Sequence, residues 1–342
     1  MFDMDTIQNI YTHLQDDESQ RIFEQRLLLS LTGDRKYLYR LLEHVPTLQY
    51  LCSLIRMNTN NIVFGAGYYA EKLLHMTDGC WLCAVDNNVA KWGKELDGVP
   101  ICSPEKIAEY PEARIFICTR KPGYHFQDEI VTQLQSMHIP QERIIRVDKL
   151  LDRLEQQQYF DLQVLPHASQ EIFVDGGAYD GDSVQRFVDW ANDFSHIYAF
   201  EPDEVNGRKC INRLEDKSKI TLIPAGLGFH REKVAFSADN NGFGSHIDAG
   251  GDKTIDIVAL DEVLSEVPVT FIKLDIEGAE LDTLKGGKEL ICKYHPKLAV
   301  CVYHKPEDII AIPQYILSLQ DDYKFYLRHY GLGNEETVLY CI

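Results

Sequence analysis

Glu171-Ile-Phe-Val-Asp-Gly-Gly-Ala-Tyr-Asp-Gly-Asp-Ser183 is an apolar run that stops at an acid, Asp175, with glycines at 176, 177 and 181. Downstream, Val184, Phe187 and Val188 fall on one stripe, so the residues after Ser183 read as a helix. A strand, a glycine turn and a helix N-terminus begin a nucleotide-binding α/β unit. The acid at the strand tip separates two ligand chemistries. In a dinucleotide site the pyrophosphate rests on the turn and the positive helix end, and a carboxylate there repels it. S-adenosylmethionine carries an ammonium and a sulfonium and no phosphate, so the same carboxylate attracts it. The turn is read as an S-adenosylmethionine site; a structural cap by Asp175 is the plainer alternative.

Working outward, three strand ends add chemistry. Glu201 closes the strand-like run His196-Ile-Tyr-Ala-Phe, where an acid can accept both ribose hydroxyls. Thr270-Phe-Ile-Lys-Leu-Asp275 is followed by Glu277 and Glu280. Three acids at one strand edge call for something cationic or protic between them: the sulfonium, a divalent cation on Asp275 and Glu277, or an acidic substrate proton. A solvated helix N-terminus that favours negative charge is the other reading. Tyr303-His304 ends the next strand, where a neutral imidazole can take a proton from a substrate hydroxyl; a hydrogen-bonded bystander is the alternative. Lys324–Arg328 and Thr337–Cys341 flank a Gly-rich turn and are expected to pair as an antiparallel hairpin.

The N-terminal half is a different unit. Residues 1–57 have apolar positions near helical spacing, suited to packing or dimerisation. Ile62-Val-Phe-Gly65-Ala-Gly67-Tyr-Tyr-Ala is a second strand and glycine turn, here with no acid ahead of the first glycine, so a phosphate is tolerated. Asp86 stands 21 residues after Gly65, where an acid meets a ribose in a dinucleotide fold. Alternating strands and helices continue to about 150, a compact parallel α/β domain. Gly65, Gly67 and Asp86 are candidates for a nucleotide or nucleotide-sugar site, against an empty scaffold used for packing. With Val85-Asp-Asn-Asn and Gly98-Val-Pro-Ile, the segment resembles the small Rossmann-like domain at the front of some bacterial sugar-modifying enzymes, which implies a ligand like a nucleotide-sugar. The expected organisation is a helical segment (1–57), a small Rossmann-like domain (58–150), a polar linker (151–169) and a second α/β domain (170–342).

Composition limits the partners. There are 34 Lys and Arg against 53 Asp and Glu, a net charge of −19 without a basic run, which disfavours nucleic acid and anionic membranes. No apolar run approaches the ~20 residues that span a bilayer, and the first residues lack the pattern of a signal peptide. Nine scattered cysteines suggest reduced thiols and a cytoplasmic protein. Cys80-Trp-Leu-Cys83, the one C-x-x-C, has no second pair and reads as buried thiols rather than zinc ligands.

Phe173-Val-Asp-Gly-Gly-Ala-Tyr-Asp-Gly-Asp-Ser, Tyr198-Ala-Phe-Glu-Pro, Ile257-Val-Ala-Leu-Asp261, Ile272-Lys-Leu-Asp-Ile-Glu-Gly-Ala-Glu280 and the tail Tyr326-Leu-Arg-His-Tyr with Glu336-Thr-Val-Leu-Tyr resemble the FkbM family of S-adenosylmethionine-dependent methyltransferases, in order, over about 170–342. The resemblance implies an α/β fold of the class I methyltransferase type, a Rossmann-like doubly wound sheet with a C-terminal antiparallel hairpin, and methyl transfer to oxygen. It implies that Asp175, Gly177 and Gly181 cradle the methionine end, with Gly176, Ala178 and Ser183 in the same motif. Glu201 with Pro202 would hold the ribose, Gly226 would lie near the adenine and Asp275 near the sulfonium. The chain departs from the family at Tyr179, where Asn is frequent, and at Val302-Tyr-His, where many members have Glu-Ile-His. The expected function is an O-methyltransferase acting on a sugar, nucleotide-sugar, glycan or related hydroxyl compound, with His304, Asp275 and Glu277 as catalytic candidates. An NAD-dependent oxidoreductase using the first turn, or a non-catalytic binding protein with a vestigial methyltransferase fold, are the rivals.

Overall fold

A computed structural model of the chain describes residues 3–58, 60–75, 81–119, 126–160, 165–191, 193–213, 218–237, 246–247 and 253–342. Two compact units divide the chain: one comprises Met1–Leu31, Gln157–Arg328 and Glu336–Ile342, the other Thr32–Gln156 and His329–Glu335.

The smaller unit is built on β1 (Asn61–Phe64), β2 (Trp81–Val85), β3 (Glu95–Leu96), β4 (Val99–Cys102), β5 (Arg114–Ile117) and β6 (Ile144–Arg146). They form one sheet in the order β3-β4-β2-β1-β5-β6. Only the β3–β4 hairpin is antiparallel. β1 is buried along its whole length, which explains its continuous apolar run: a strand inside a parallel sheet is covered on both faces. Ile62, Phe64, Val85, Ile115 and Leu134 form its core.

The larger unit carries β7 (Glu171–Gly176), β8 (Phe194–Phe200), β9 (Ile220–Ile223), β10 (Gly226–Leu227), β11 (Glu232–Ser237), β12 (His246–Ile247), β13 (Lys253–Val258), β14 (Phe271–Leu274), β15 (Lys297–Cys301), β16 (Phe325–His329) and β17 (Thr337–Cys341). Its main sheet runs β16-β17-β15-β14-β7-β8-β9. The strands from β15 to β9 are parallel and β17 is antiparallel to β15. Reciprocal bonds between Lys324 and Ile342 close the C-terminal hairpin. Strand order therefore reverses between β7 and β14, and ligands of doubly wound sheets bind at the carboxyl ends beside that switch point. β10 to β13 make a separate small sheet.

The helix Asp182–Trp190 buries Val184 and Phe187 against β7. Phe187 stacks on Phe173 with centroids 4.2 Å apart and meets Phe271 and Phe160 at tilted angles. The stripe seen in the sequence is thus the anchor of the glycine turn.

The helical N-terminus differs from the expected single segment. Helices Met4–His13 and Asp17–Thr32 bury Ile10, Ile22 and Phe23, and Leu14 bridges Phe325 of β16. Arg328 pairs with Asp16 at 2.7 Å, and Ser19 Oγ accepts from Leu327 N. This covers the open edge of the sheet, where unpaired backbone groups would otherwise face solvent. Helices Lys36–Leu42 and Pro46–Arg56 fall within the smaller unit. The polar stretch read as a linker starts as the helix Val147–Gln157; its residues 161–164 lie outside the described residues. Among the described residues no helix is long and apolar enough to cross a membrane.

Removing the ring of Phe187, 0% exposed at the centre of this aromatic cluster, should cost about 3–5 kcal/mol. Urea unfolding of Phe187→Ala measures it; a loss below about 1 kcal/mol would show that the helix is not anchored there.

Candidate functional site

The glycine turn after β7 is shaped by contact with β14. Gly177 has φ of 80°, and a Cβ there would lie 2.0 Å from the Asp275 carbonyl oxygen. Only glycine lets the two strand ends touch. Beneath the turn lies Lys273, 2% exposed in the middle of β14. Its Nζ donates to Asp175 Oδ1 (3.0 Å) and to the carbonyls of Gly176 (3.0 Å) and Gly177 (2.8 Å). Asp175 Oδ2 accepts from Ser183 Oγ at 2.5 Å. Asp175 is 0% exposed, and both its oxygens have partners. The expectation that it attracts a cationic cofactor is corrected by this geometry: its charge is matched by Lys273 inside the sheet. Burial opposes the lysine's charge, but Asp175 and Asp275 outweigh it and raise its pKa. A lysine inside an apolar strand was the sequence signal for this pair, since a buried ammonium needs an anion.

The turn's other candidates divide between packing and opening. The amides of Gly177 and Ala178 donate to the Phe200 carbonyl, tying the turn to β8, and Gly181 N donates to Ala178 O. Gly176 and Ser183 are buried with Asp175. Tyr179, where the resemblance favours Asn, has φ of 48°, a left-handed conformation that Asn adopts more readily. Its N–H donates to Glu201 Oε2 (2.9 Å), while Asp203 N–H donates to Oε1 (2.8 Å). Burial pushes the Glu201 carboxyl up to about 7, against these two amides. Pro202 and Gly226 are neighbours, the proline Cγ standing 4.0 Å from a Cβ built on the glycine. Glu201, Pro202, Tyr179 and Gly226 therefore gather at the ends of β8 and β10.

The acids after β14 separate into distinct roles. Asp275, its side chain 27% exposed, accepts from Tyr159 Oη at 2.6 Å and from Tyr303 Oη at 3.2 Å. Burial opposes its charge, but Lys273, His304 and the Tyr159 bond lower its pKa. Glu277 has φ of 55° and a half-exposed side chain. Glu280 is turned inward at 1% exposed, with Oε1 accepting from Ile276 N. His304 stands among all three: Nε2 is 3.6 Å from both Asp275 Oδ1 and Glu277 Oε2, and Nδ1 is 3.0 Å from Glu280 Oε1. Burial works against an imidazolium, yet Glu280, Asp275 and Glu277 raise the ring to about 9. With no cation between them, the three acids favour the charged ring over the neutral imidazole expected from the sequence. Asp275, Glu280 and His304 each offer a ligand atom, mutually within 4.8 Å, and could hold a metal ion.

Tyr159 was invisible to sequence reading. It precedes the glycine turn and adopts φ of 68°. Gln158 Nε2 donates to its hydroxyl and Tyr340 Oη accepts from its N–H. No local pattern marks a tyrosine that reaches an acid 116 residues away.

In the smaller unit Asp86 does not face outward as a ribose acceptor would. Its Oδ2 accepts from Ala66 N and from Lys91 Nζ, both at 2.8 Å, and Lys91 also donates to the Ala66 carbonyl. The turn amide that a phosphate would use is occupied by the chain's own acid, a correction to the expected role of Asp86. A Cβ on Gly65 would meet Thr119 Cγ2 at 2.3 Å, while Gly67 has open space. Burial pushes the Cys83 thiol up to about 12; Cys80 lies outside the described residues.

Asp175→Ala leaves the buried Lys273 ammonium unpaired and should cost about 3–5 kcal/mol. Adding Lys273→Met should recover most of that loss. Urea denaturation of both variants checks it, and equal stabilities for the single and double variants would contradict the pairing.

Residues 175–331 match the family model described as the methyltransferase FkbM domain. Residues 57–145 match a separate one, described as C2185-like, N-terminal. No curated protein matches the chain. Among solved structures it is similar to the methyltransferase FkbM from Methylobacillus flagellatus KT, at 20% identity and a TM-score of 0.53, covering 95% of this chain and 99% of that one. That likeness shows a shared fold. A lesser similarity, at 12% identity and a TM-score of 0.37, is to Aeropyrum pernix fibrillarin in complex with natively bound S-adenosyl-L-methionine, over 56% of this chain and 74% of that one. With the sheet order and glycine turn above, the match at 175–331 identifies the larger unit: the chain carries a methyltransferase domain of the FkbM family, preceded by a separate α/β domain.

Proposed function

We propose that the larger unit transfers a methyl group from S-adenosylmethionine to a hydroxyl oxygen of a sugar, nucleotide-sugar or related small molecule. The observation that carries this reading is Glu201. Its carboxylate is 7% exposed beside the switch point, and each oxygen accepts one backbone N–H. A carboxylate has about four lone-pair sites, so two remain for a pair of ribose hydroxyls. Attraction for the donor's positive charge falls to Asp275 and Glu277 rather than to Asp175.

When bound, S-adenosylmethionine supplies an electrophilic methyl group: the carbon–sulfur bond breaks as the oxygen–carbon bond forms, and the electron pair stays on sulfur. The chain's own residues do the rest by position. Tyr159 and Tyr303 fix Asp275. Glu277, half exposed at the mouth, accepts the proton that the acceptor hydroxyl gives up and passes it to solvent. His304, standing among the three acids, holds Asp275 and Glu277 in place. The smaller unit is proposed to hold a nucleotide or nucleotide-sugar, its Gly67 side being the open part of the turn.

Calorimetry with S-adenosylmethionine is the first test. Glu201→Ala should weaken binding roughly 10- to 100-fold, the loss of charge-assisted bonds of about 1.5–3 kcal/mol. Absence of binding to the parent chain would end the reading. Because Glu201 must ionise to accept both hydroxyls, affinity should rise roughly tenfold from pH 6 to pH 8, and a flat profile would remove the carboxylate from the site. Transfer of a labelled methyl group to a library of sugars and nucleotide-sugars, with the label stable to alkali, would mark an ether product.

A further inference from the structure

We propose that Asp275, Glu280 and His304 form a binding site for one divalent first-row transition-metal cation, of the manganese or zinc kind, at the acceptor side of the crevice. The cation's role rests on the methyl-transfer reading; its binding does not.

Two neighbouring strand ends supply the donors: Asp275 follows β14, Glu280 begins the helix Glu280–Gly286, and His304 follows β15. One ligand atom from each lies within 4.8 Å of the others. An acidic cluster alone would be ordinary. What sets this one apart is Glu280, 1% exposed, whose Oε2 is sealed from solvent and has no hydrogen-bond partner. Among the described residues it is the one carboxylate oxygen in that condition. Burying such an oxygen unpaired is costly, and a cation in the cluster satisfies it.

The spacing agrees. His304 Nε2 stands 3.6 Å from Asp275 Oδ1, too far for a hydrogen bond. Its Nδ1 is 3.0 Å from Glu280 Oε1. Ligands at ~2.0–2.2 Å from a shared ion lie about 3–3.5 Å apart; one ring nitrogen serves one ion, so a turn of the imidazole with a shift of the two carboxylates brings the donors from within 4.8 Å to that spacing. The surroundings resemble the outer shell of a metal site, where hydrogen bonds hold the ligands: Tyr159 and Tyr303 donate to Asp275. Glu277 adds negative charge 3.6 Å from the imidazole, and the nearby Lys305 ammonium is turned to the Gly278 carbonyl. One imidazole with carboxylates selects manganese, zinc or iron over magnesium or calcium. Three protein donors leave positions open, through which the ion holds the acceptor oxygen and favours loss of its proton to Glu277.

The other group of this kind, Glu71, His75 and Asp97 in the smaller unit, has no such orphan. His75 Nε2 meets Asp97 at 2.5 Å, and the Arg35 guanidinium stands 3.5 Å from the same nitrogen.

The test uses the full chain, freed of metal by a chelator and titrated with Mn²⁺ while the resonance of the free ion is followed. One equivalent should be taken up, and electron spin-echo modulation in the parent chain should show a directly bound imidazole nitrogen. Glu280→Gln and His304→Gln should each weaken uptake at least about tenfold. The spin-echo signal needs no variant, so a variant that misfolds leaves the question decidable. No uptake by the parent, uptake without nitrogen modulation, or uptake that survives Glu280→Gln and vanishes in Asp97→Asn would each overturn the proposal. S-adenosylmethionine binding by the metal-free chain separates the two readings: donor binding without Mn²⁺ uptake removes the cation site and leaves methyl transfer standing.

Discussion

The ammonium of Lys273 is the contact on which the larger unit depends. All three of its donors are used, on the Asp175 carboxylate and on two carbonyls of the glycine turn. Taking both charges out of water is expensive, and a buried pair is tolerable only when the remaining valences are filled. Here Ser183 fills the other oxygen of Asp175. The pair joins β7 to β14 at the one place where strand order reverses, so the floor of the crevice is rigid by construction. Its chemistry is left to groups on the rim.

Those rim groups are set apart by burial. Burial pushes the Glu201 carboxyl up to about 7, whereas Lys273, His304 and the Tyr159 hydroxyl lower the pKa of Asp275 against its burial. His304 links Asp275, Glu277 and Glu280 at distances of 3.0–3.6 Å. On the proposed reading, the carboxylate that titrates serves the neutral ribose and the charged cluster the positive sulfur.

The smaller unit shows how one glycine pattern can serve another end. Its turn has the spacing of a dinucleotide site, yet Asp86 and Lys91 satisfy the amide and carbonyl of Ala66 themselves. Burial and hydrogen bonding are answered within the chain, so the pattern alone does not require a phosphate.

Alternation of strands and helices, the C-terminal hairpin and the strand-end positions of Glu201, Asp275 and His304 were legible in the sequence. They follow from local periodicity and turn chemistry, which act over a few residues. The partners of each charge were not legible. Asp175 meets a lysine 98 residues on, Asp275 meets Tyr159 across 116, and the first helices cover an edge strand some 308 residues away. An acid's sign is a property of its residue type, but whether that charge faces a ligand or a buried lysine is decided by which distant strands lie side by side.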